Sequence, residues 1–165
     1  MTTMEDEIVL AKGHWDFDVY EGDVVKDDEG NILNKLVDHF EGDNLIVTTG
    51  KQLLLDRLFA LGTPPGAVTA MGVGATAAAA IVGDTQLGST PTIKVFDSLP
   101  TRSGLVVTCI TTFATGDANI SWNELALFNG TVNGTSIMLN RIAPIGPFNK
   151  TSAVSIVVTV TITQS

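Results

Sequence analysis

One cysteine and two histidines are all that this 165-residue chain offers of the side chains most used in metal binding and nucleophilic catalysis. The lone Cys109 excludes an internal disulfide and any multi-cysteine zinc site. It stands in the apolar run GLVVTCITTFAT, where a small buried hydrophobe is expected rather than a reactive thiol. His14 and His39 belong to no H-x-x-x-H or H-E-x-x-H arrangement and read as strand-surface residues, not ligands. No serine sits in a G-x-S-x-G elbow, and the calcium loop D-x-[DN]-x-[DN]-G is missing. Apolar runs fall far short of the twenty or so residues that a membrane-spanning helix needs. The opening MTTMEDEIVLAKG is acidic where an export signal would be basic and then apolar, so the expectation is a chain made and folded in the cytoplasm.

Bases are also scarce, nine against eighteen acids, and the formal charge is −9. Thirteen of the acids lie in residues 1–43 with only three bases, whereas residues 44–165 are close to neutral. Such a field repels phosphate backbones and anionic lipid heads, which excludes nucleic acid and membrane surfaces as partners. It serves either as a solvated face that maintains solubility or as a docking surface for a basic neighbour. The shift in charge divides the chain into an acidic N-terminal segment, 1–43, with one or two strands, packed on or extending from a body, 44–165.

What the chain does have is alternation. In HWDFDVY, Trp15, Phe17 and Val19 alternate with His14, Asp16 and Asp18, the period of a strand with one wet face. ILNKLVDHF and NLIVTT read as successive strands joined by polar turns. TTGKQLLLDRLFALG changes period: Leu53, Leu54, Arg57, Leu58 and Leu61 fall at helical spacing, and Gly62 with Pro64-Pro65 ends the run, which predicts one short helix at about 50–61. Beyond it ISWNELALFN sets Ile120, Trp122, Ala126 and Phe128 on a single face, and the closing run alternates Val154, Ile156, Val158, Val160 and Ile162 with mostly polar residues. Short strands separated by GDAN, NGTVNGT and PIGPFNK predict a mainly β fold, an antiparallel β-sandwich or jelly-roll. The sequons at Asn119, Asn129, Asn133 and Asn149 follow from this turn composition.

Two patterns look like chemistry. Gly72-x-Gly74-x-x-Ala77 has dinucleotide-turn spacing, with Asp97 about twenty residues further on. That site requires a long helix after the glycines, and too few residues separate Ala77 from Gly83-Asp84 to form one. The stretch is read as a strand, VTAMGVG, followed by a small-residue loop over the sheet; no G-K-[ST] follows either. Asp16 and Asp18 share a strand face and are candidates for calcium binding or paired-acid glycoside chemistry, although paired acids on a wet face are common. Trp15 and Trp122 are able to stack a sugar, but each is in phase with apolar neighbours and is expected in the core. The sequence therefore assigns no catalytic, cofactor-binding or metal-binding residue.

Four segments carry a resemblance. Asn44 to Gly50 (NLIVTTG), Gly72 to Leu87 (a G-x-G-x-T stretch closing in D-T-x-L), Ile120 to Asn129 (ISWNELALFN) and Phe148 to Ile162 (FNKTSAVSIVVTVTI) follow in order and spacing. In this, residues 44–165 are similar to small virion proteins of tailed bacteriophages in the tail-fibre and tail-collar group. Where those have I-x-E-x-G-L-F, this chain has Trp122-Asn123-Glu124-Leu125-Ala126, and residues 1–43 lie outside the likeness. The resemblance implies a non-enzymatic virion protein, a fibre, collar or adaptor component. Its partners would be tail, portal-proximal or capsid subunits and further copies of itself. A near-neutral body agrees, because it can be buried against neighbours with little charge desolvation. The alternatives are a capsid decoration protein on the outside of the head and, further off, a carbohydrate-binding module taking a host-surface glycan.

Overall fold

The structure, a computed structural model, describes residues 12–63, 65–146 and 148–164. Among them are eleven strands and one helix: β1 (Lys12–Glu21), β2 (Leu36–Ile46), α1 (Thr48–Phe59), β3 (Ala70–Gly74), β4 (Thr92–Val95), β5 (Thr101–Ser103), β6 (Val106–Phe113), β7 (Ser121–Trp122), β8 (Glu124–Phe128), β9 (Met138–Ile142), β10 (Phe148–Asn149) and β11 (Val154–Thr163). Nine of them form one antiparallel sheet in the order β4-β3-β8-β9-β2-β1-β11-β6-β5, and β7 pairs with β10 beside it. The mainly β, sandwich-like architecture expected from the alternation is what the chain forms, with the two layers supplied by one sheet curled on itself.

The curl follows from where the large side chains go. Trp15, Phe17 and Val19 of β1 and Ile156, Val158 and Val160 of β11 share one cluster with Met71 and Val73 of β3 and Leu125 and Leu127 of β8, strands from the opposite end of the order. Two tryptophans fill much of this interior: Trp15 stacks near Phe17 at 6.2 Å, and Trp122 meets Phe113 edge-on at 4.9 Å. Near the seam, the Asp97 N–H donates to the Ile110 carbonyl at 2.9 Å and the Asp97 carboxylate accepts from Thr112 N and Oγ1. Lys94 reaches the Thr112 carbonyl and the Asp117 carboxylate. These bonds join the β4 end of the sheet to β6.

Several expectations change. ILNKLVDHF and NLIVTT make one strand, not two: β2 runs straight through EGDN, with Gly42 directly opposite Trp15, where a larger residue would meet Ile142. The boundary drawn at 43/44 from charge falls inside β2, and β1 lies between β2 and β11, so the two strands of the acidic segment belong to the same sheet as the body. The helix is found two residues early and ends as Ala60 turns left-handed (φ 50°). Of its expected apolar stripe only Leu53 is buried and Leu54 half-buried, while Arg57, Leu58 and Leu61 are exposed. The reason is Gly50, whose backbone sits so close to the Leu139 carbonyl of β9 that the first turns dock and the last stand clear.

The single face expected for Ile120, Trp122, Ala126 and Phe128 is also divided. The strand breaks at Asn123, after which Leu125 and Leu127 face the main core with Trp122. Ala126 and Phe128 face a second cluster with Val47, Ala70, Leu87 and Met138. β8 is buried on both sides because residues 75–91 fold back over β3, β8 and β9.

Candidate functional site

The glycine stretch lies at the centre of that covered side. Gly72 and Gly74 are in β3, and residues 75–91 contain no helix, so the dinucleotide spacing belongs to a strand and a loop, as the short interval to Gly83 implied. Both glycines answer to close approach. A side chain at Gly72 would meet Leu87, Ile93 and Phe128, and one at Gly74 would collide with the Glu124 carboxylate.

Glu124, fully buried, is the hub of a polar cluster that sequence reasoning did not single out. Its Oε1 accepts from the backbone N–H groups of Thr76 (3.2 Å) and Gly88 (2.9 Å), one at each end of the covering loop. Its Oε2 accepts from Arg141 Nε (2.9 Å) and Nη2 (2.8 Å), a two-pronged guanidinium contact from β9. Arg141 in turn donates through Nη1 to Asp84 Oδ2 at 2.7 Å and through Nη2 to the Ala78 carbonyl at 3.0 Å. Asn133 completes the hold by bonding both the N–H and the carbonyl of Leu87. Every charge in the cluster faces an opposite charge or a backbone dipole, and Glu124 and Arg141 have almost no contact with solvent. The chemistry available to it is therefore to hold a loop in place. One signal for it was present: Glu124 and Arg141 are isolated charges in apolar strands of a charge-poor region.

A second internal hold uses Lys150, also buried, whose Nζ donates to the Ala114 carbonyl (2.7 Å) and Asn119 Oδ1 (3.0 Å). Burial pushes its pKa down, against the opposing pull of Asp117 and Asp23. Asn119, Asn129 and Asn133, three of the sequon asparagines, each bond backbone groups of their own turns or of the covering loop, in keeping with the turn composition. Cys109 is buried mid-strand, and burial raises its thiol to about 11. Trp15 and Trp122 are core residues.

The outward face of β1 and β2 is of a different kind. Asp16 and Asp18 do share it, along with His14, His39, Glu41 and Asp43, and both histidines are surface residues of strands. His14 Nδ1 bonds Asp43 Oδ1 at 2.8 Å, and His39 Nδ1 bonds Asp18 Oδ1 at 2.7 Å. Each imidazole pKa is raised, that of His14 mainly by the Asp43 bond and that of His39 mainly by the Asp18 bond.

Large apolar side chains make up the remaining surface of note. Leu58, Phe59 and Leu61 at the end of α1, Ile81 and Val82 in the covering loop, and Leu99 and Leu105 about β5 are all more than half exposed. A shallow groove lined by Val68, Val95, Phe96, Leu99 and Pro100 lies along the β4 edge. Comparison with family models, curated proteins and solved structures finds no match to this chain.

Proposed function

We propose that this protein is a non-enzymatic structural component of a tailed-bacteriophage virion, tail-associated as a fibre, collar or adaptor subunit, and that it works as a homo-oligomer assembled with other virion proteins. The observation that carries this reading is how the motif segments behind the resemblance use their polar residues. Glu124, Asp84, Arg141 and Lys150 all come from those segments or the short stretches between them, and all are engaged in holding the fold. The exposed leucines, isoleucine, valine and phenylalanine are what the body leaves for neighbours. Apolar contacts of that kind persist at high salt, whereas contacts through the acidic β1–β2 face weaken.

The test is light scattering of the full chain together with retention on purified particles, at low salt and at about 1 M salt, where screening reaches within roughly 3 Å. The expected result is an oligomer that survives high salt and is dissociated by Leu58→Glu with Phe59→Ser, with the thermal midpoint little changed. A monomer that fails to bind particles at any salt would overturn the proposal and favour the glycan-binding alternative. Particle density on the head rather than the tail would replace it with a capsid decoration role.

A further inference from the structure

The outward face of β1 and β2 carries an arrangement that assembly does not require. The register sets Asp16 directly opposite Glu41 and His14 directly opposite Asp43. Two carboxylates facing each other across a strand pair repel, and such a pair ordinarily weakens a sheet. Here both turn toward the same ring nitrogen: His14 Nε2 lies 3.7 Å from Asp16 Oδ1 and 3.7 Å from Glu41 Oε2. The other ring nitrogen is already engaged by Asp43 at 2.8 Å. With Asp43 accepting from Nδ1–H, the neutral imidazole presents its Nε2 lone pair to the space between the two carboxylates.

We propose that His14 Nε2, Asp16 and Glu41 form a binding site for a divalent cation of the zinc class, with Asp43 fixing the imidazole from behind. The three donor atoms lie within 4.8 Å of one another. Metal–ligand bonds of about 2.1 Å in tetrahedral geometry place ligand atoms roughly 3.4 Å apart, so His14 Nε2 needs to close on each carboxylate by about 0.3 Å and the two carboxylates on each other by up to about 1.4 Å, a movement within the reach of a rotation of the exposed Glu41 side chain. A carboxylate on the far nitrogen of a ligating histidine is the usual way in which such a ring is oriented. The imidazole is what selects the metal: a nitrogen donor suits zinc, cobalt or nickel, whereas calcium and magnesium take oxygen alone. The side chains of His14, Asp16 and Glu41 are 40%, 34% and 68% exposed, which leaves the remaining coordination position to water. The cation would also remove the repulsion between the opposed acids, joining β1 to β2 from outside as the core joins them from within.

The same face supplies its own control. His39 is likewise exposed and bonded to a carboxylate through Nδ1, but among the described residues Asp18 is the only acid in ion-pair contact with its ring. Among the described residues, His14 alone of the two histidines has the three-donor geometry.

The experiment is isothermal titration calorimetry of the full chain with zinc chloride and with calcium chloride, on the unmodified protein and on His14→Gln, Asp16→Asn, Glu41→Gln and His39→Gln. Circular dichroism checks that each variant folds. The expected result is one zinc per chain. His14→Gln and each of the two carboxylate variants should weaken binding about tenfold or more, and His39→Gln less than about twofold, with calcium at least about a hundredfold weaker than zinc. Nitrogen-15 spectra of the imidazoles should show zinc displacing the His14 Nε2 resonance and leaving those of His39 in place. Absence of saturable zinc binding, binding that survives His14→Gln, or binding indifferent to both Asp16→Asn and Glu41→Gln would each overturn the site.

Discussion

Replacing Glu124 with alanine tests the central claim about the covering loop, that a buried carboxylate holds it to the sheet. The substitution removes the acceptor for Thr76 N, Gly88 N, Arg141 Nε and Arg141 Nη2 together. Arg141, only 4% exposed, is then left with Asp84 and the carbonyls of Ala78 and Ala79. Breaking a buried ion pair by deleting one partner costs about 3–5 kcal/mol, because the surviving charge stays desolvated. That is a large part of the roughly 5–15 kcal/mol available to a domain. Glu124→Gln keeps an acceptor for the two loop N–H groups but turns an amide toward the guanidinium, so its cost should fall below that of alanine. Replacing both partners, Glu124→Leu with Arg141→Met, should cost less than the sum of the single changes, since no lone charge remains. Urea unfolding followed by the fluorescence of the two buried tryptophans measures all of these, and limited proteolysis reports whether residues 75–91 come free. If Glu124→Ala lowers stability by less than about 1 kcal/mol with the loop still protected, the cluster does not hold the loop and the reasoning fails.

Two further outcomes follow from the sheet. Ile156 is buried in the main core and Thr159 is half-buried on the opposite face of β11. Ile156→Ala should therefore cost about 2–5 kcal/mol and Thr159→Ala about 0.5 kcal/mol or less, and equal, small shifts in urea midpoint would show the assigned faces to be wrong. The histidines give a pH dependence of known sign. Both folded-state pKa values are raised above 6.5, so the stabilisation from their carboxylate partners is fully present below about pH 6.5 and is lost as pH rises through the raised values. The stability difference between the unmodified protein and a His14→Gln/His39→Gln double variant should shrink between about pH 6 and pH 8, and a difference that grows would contradict the pairing.

Much of the fold was legible because it is written in nearest neighbours. The alternation of His14 to Tyr20 gives β1 with its faces correctly assigned, and the same holds for Ile156, Val158 and Val160 of β11. What failed depended on close backbone approach. EGDN has the composition of a turn, yet β2 passes through it, because Gly42, opposite Trp15, leaves room for the Ile142 side chain. The stripe on α1 has helical spacing but little to pack against, since Gly50 docks only the first turns. The polar clusters were hidden for a different reason. Glu124, Arg141 and Asp84 come from three separate segments, and His14 meets Glu41 only through strand register, which no linear spacing rule contains. A search for ligand spacing within one segment passes over any site whose second half lies on the neighbouring strand.

The position of β1 in the sheet has a consequence for how the chain is made. β1 pairs with β11 from Lys12↔Thr163 to Glu21↔Val154, partners separated by up to about 150 residues. At translation rates of roughly 5–20 residues per second, the last partner emerges about 8–30 s after the first. For that interval β1 has no β11 to pair with, and its full-length edge stands open while neighbouring nascent chains offer the same edge. The acids of β1 and β2, Asp16, Asp18, Glu21, Asp38, Glu41 and Asp43, put negative charge on every such copy at the moment when edge-to-edge pairing is the main hazard. Substitutions that neutralise these acids are therefore expected to lower soluble yield from translation before they change the stability of the finished protein.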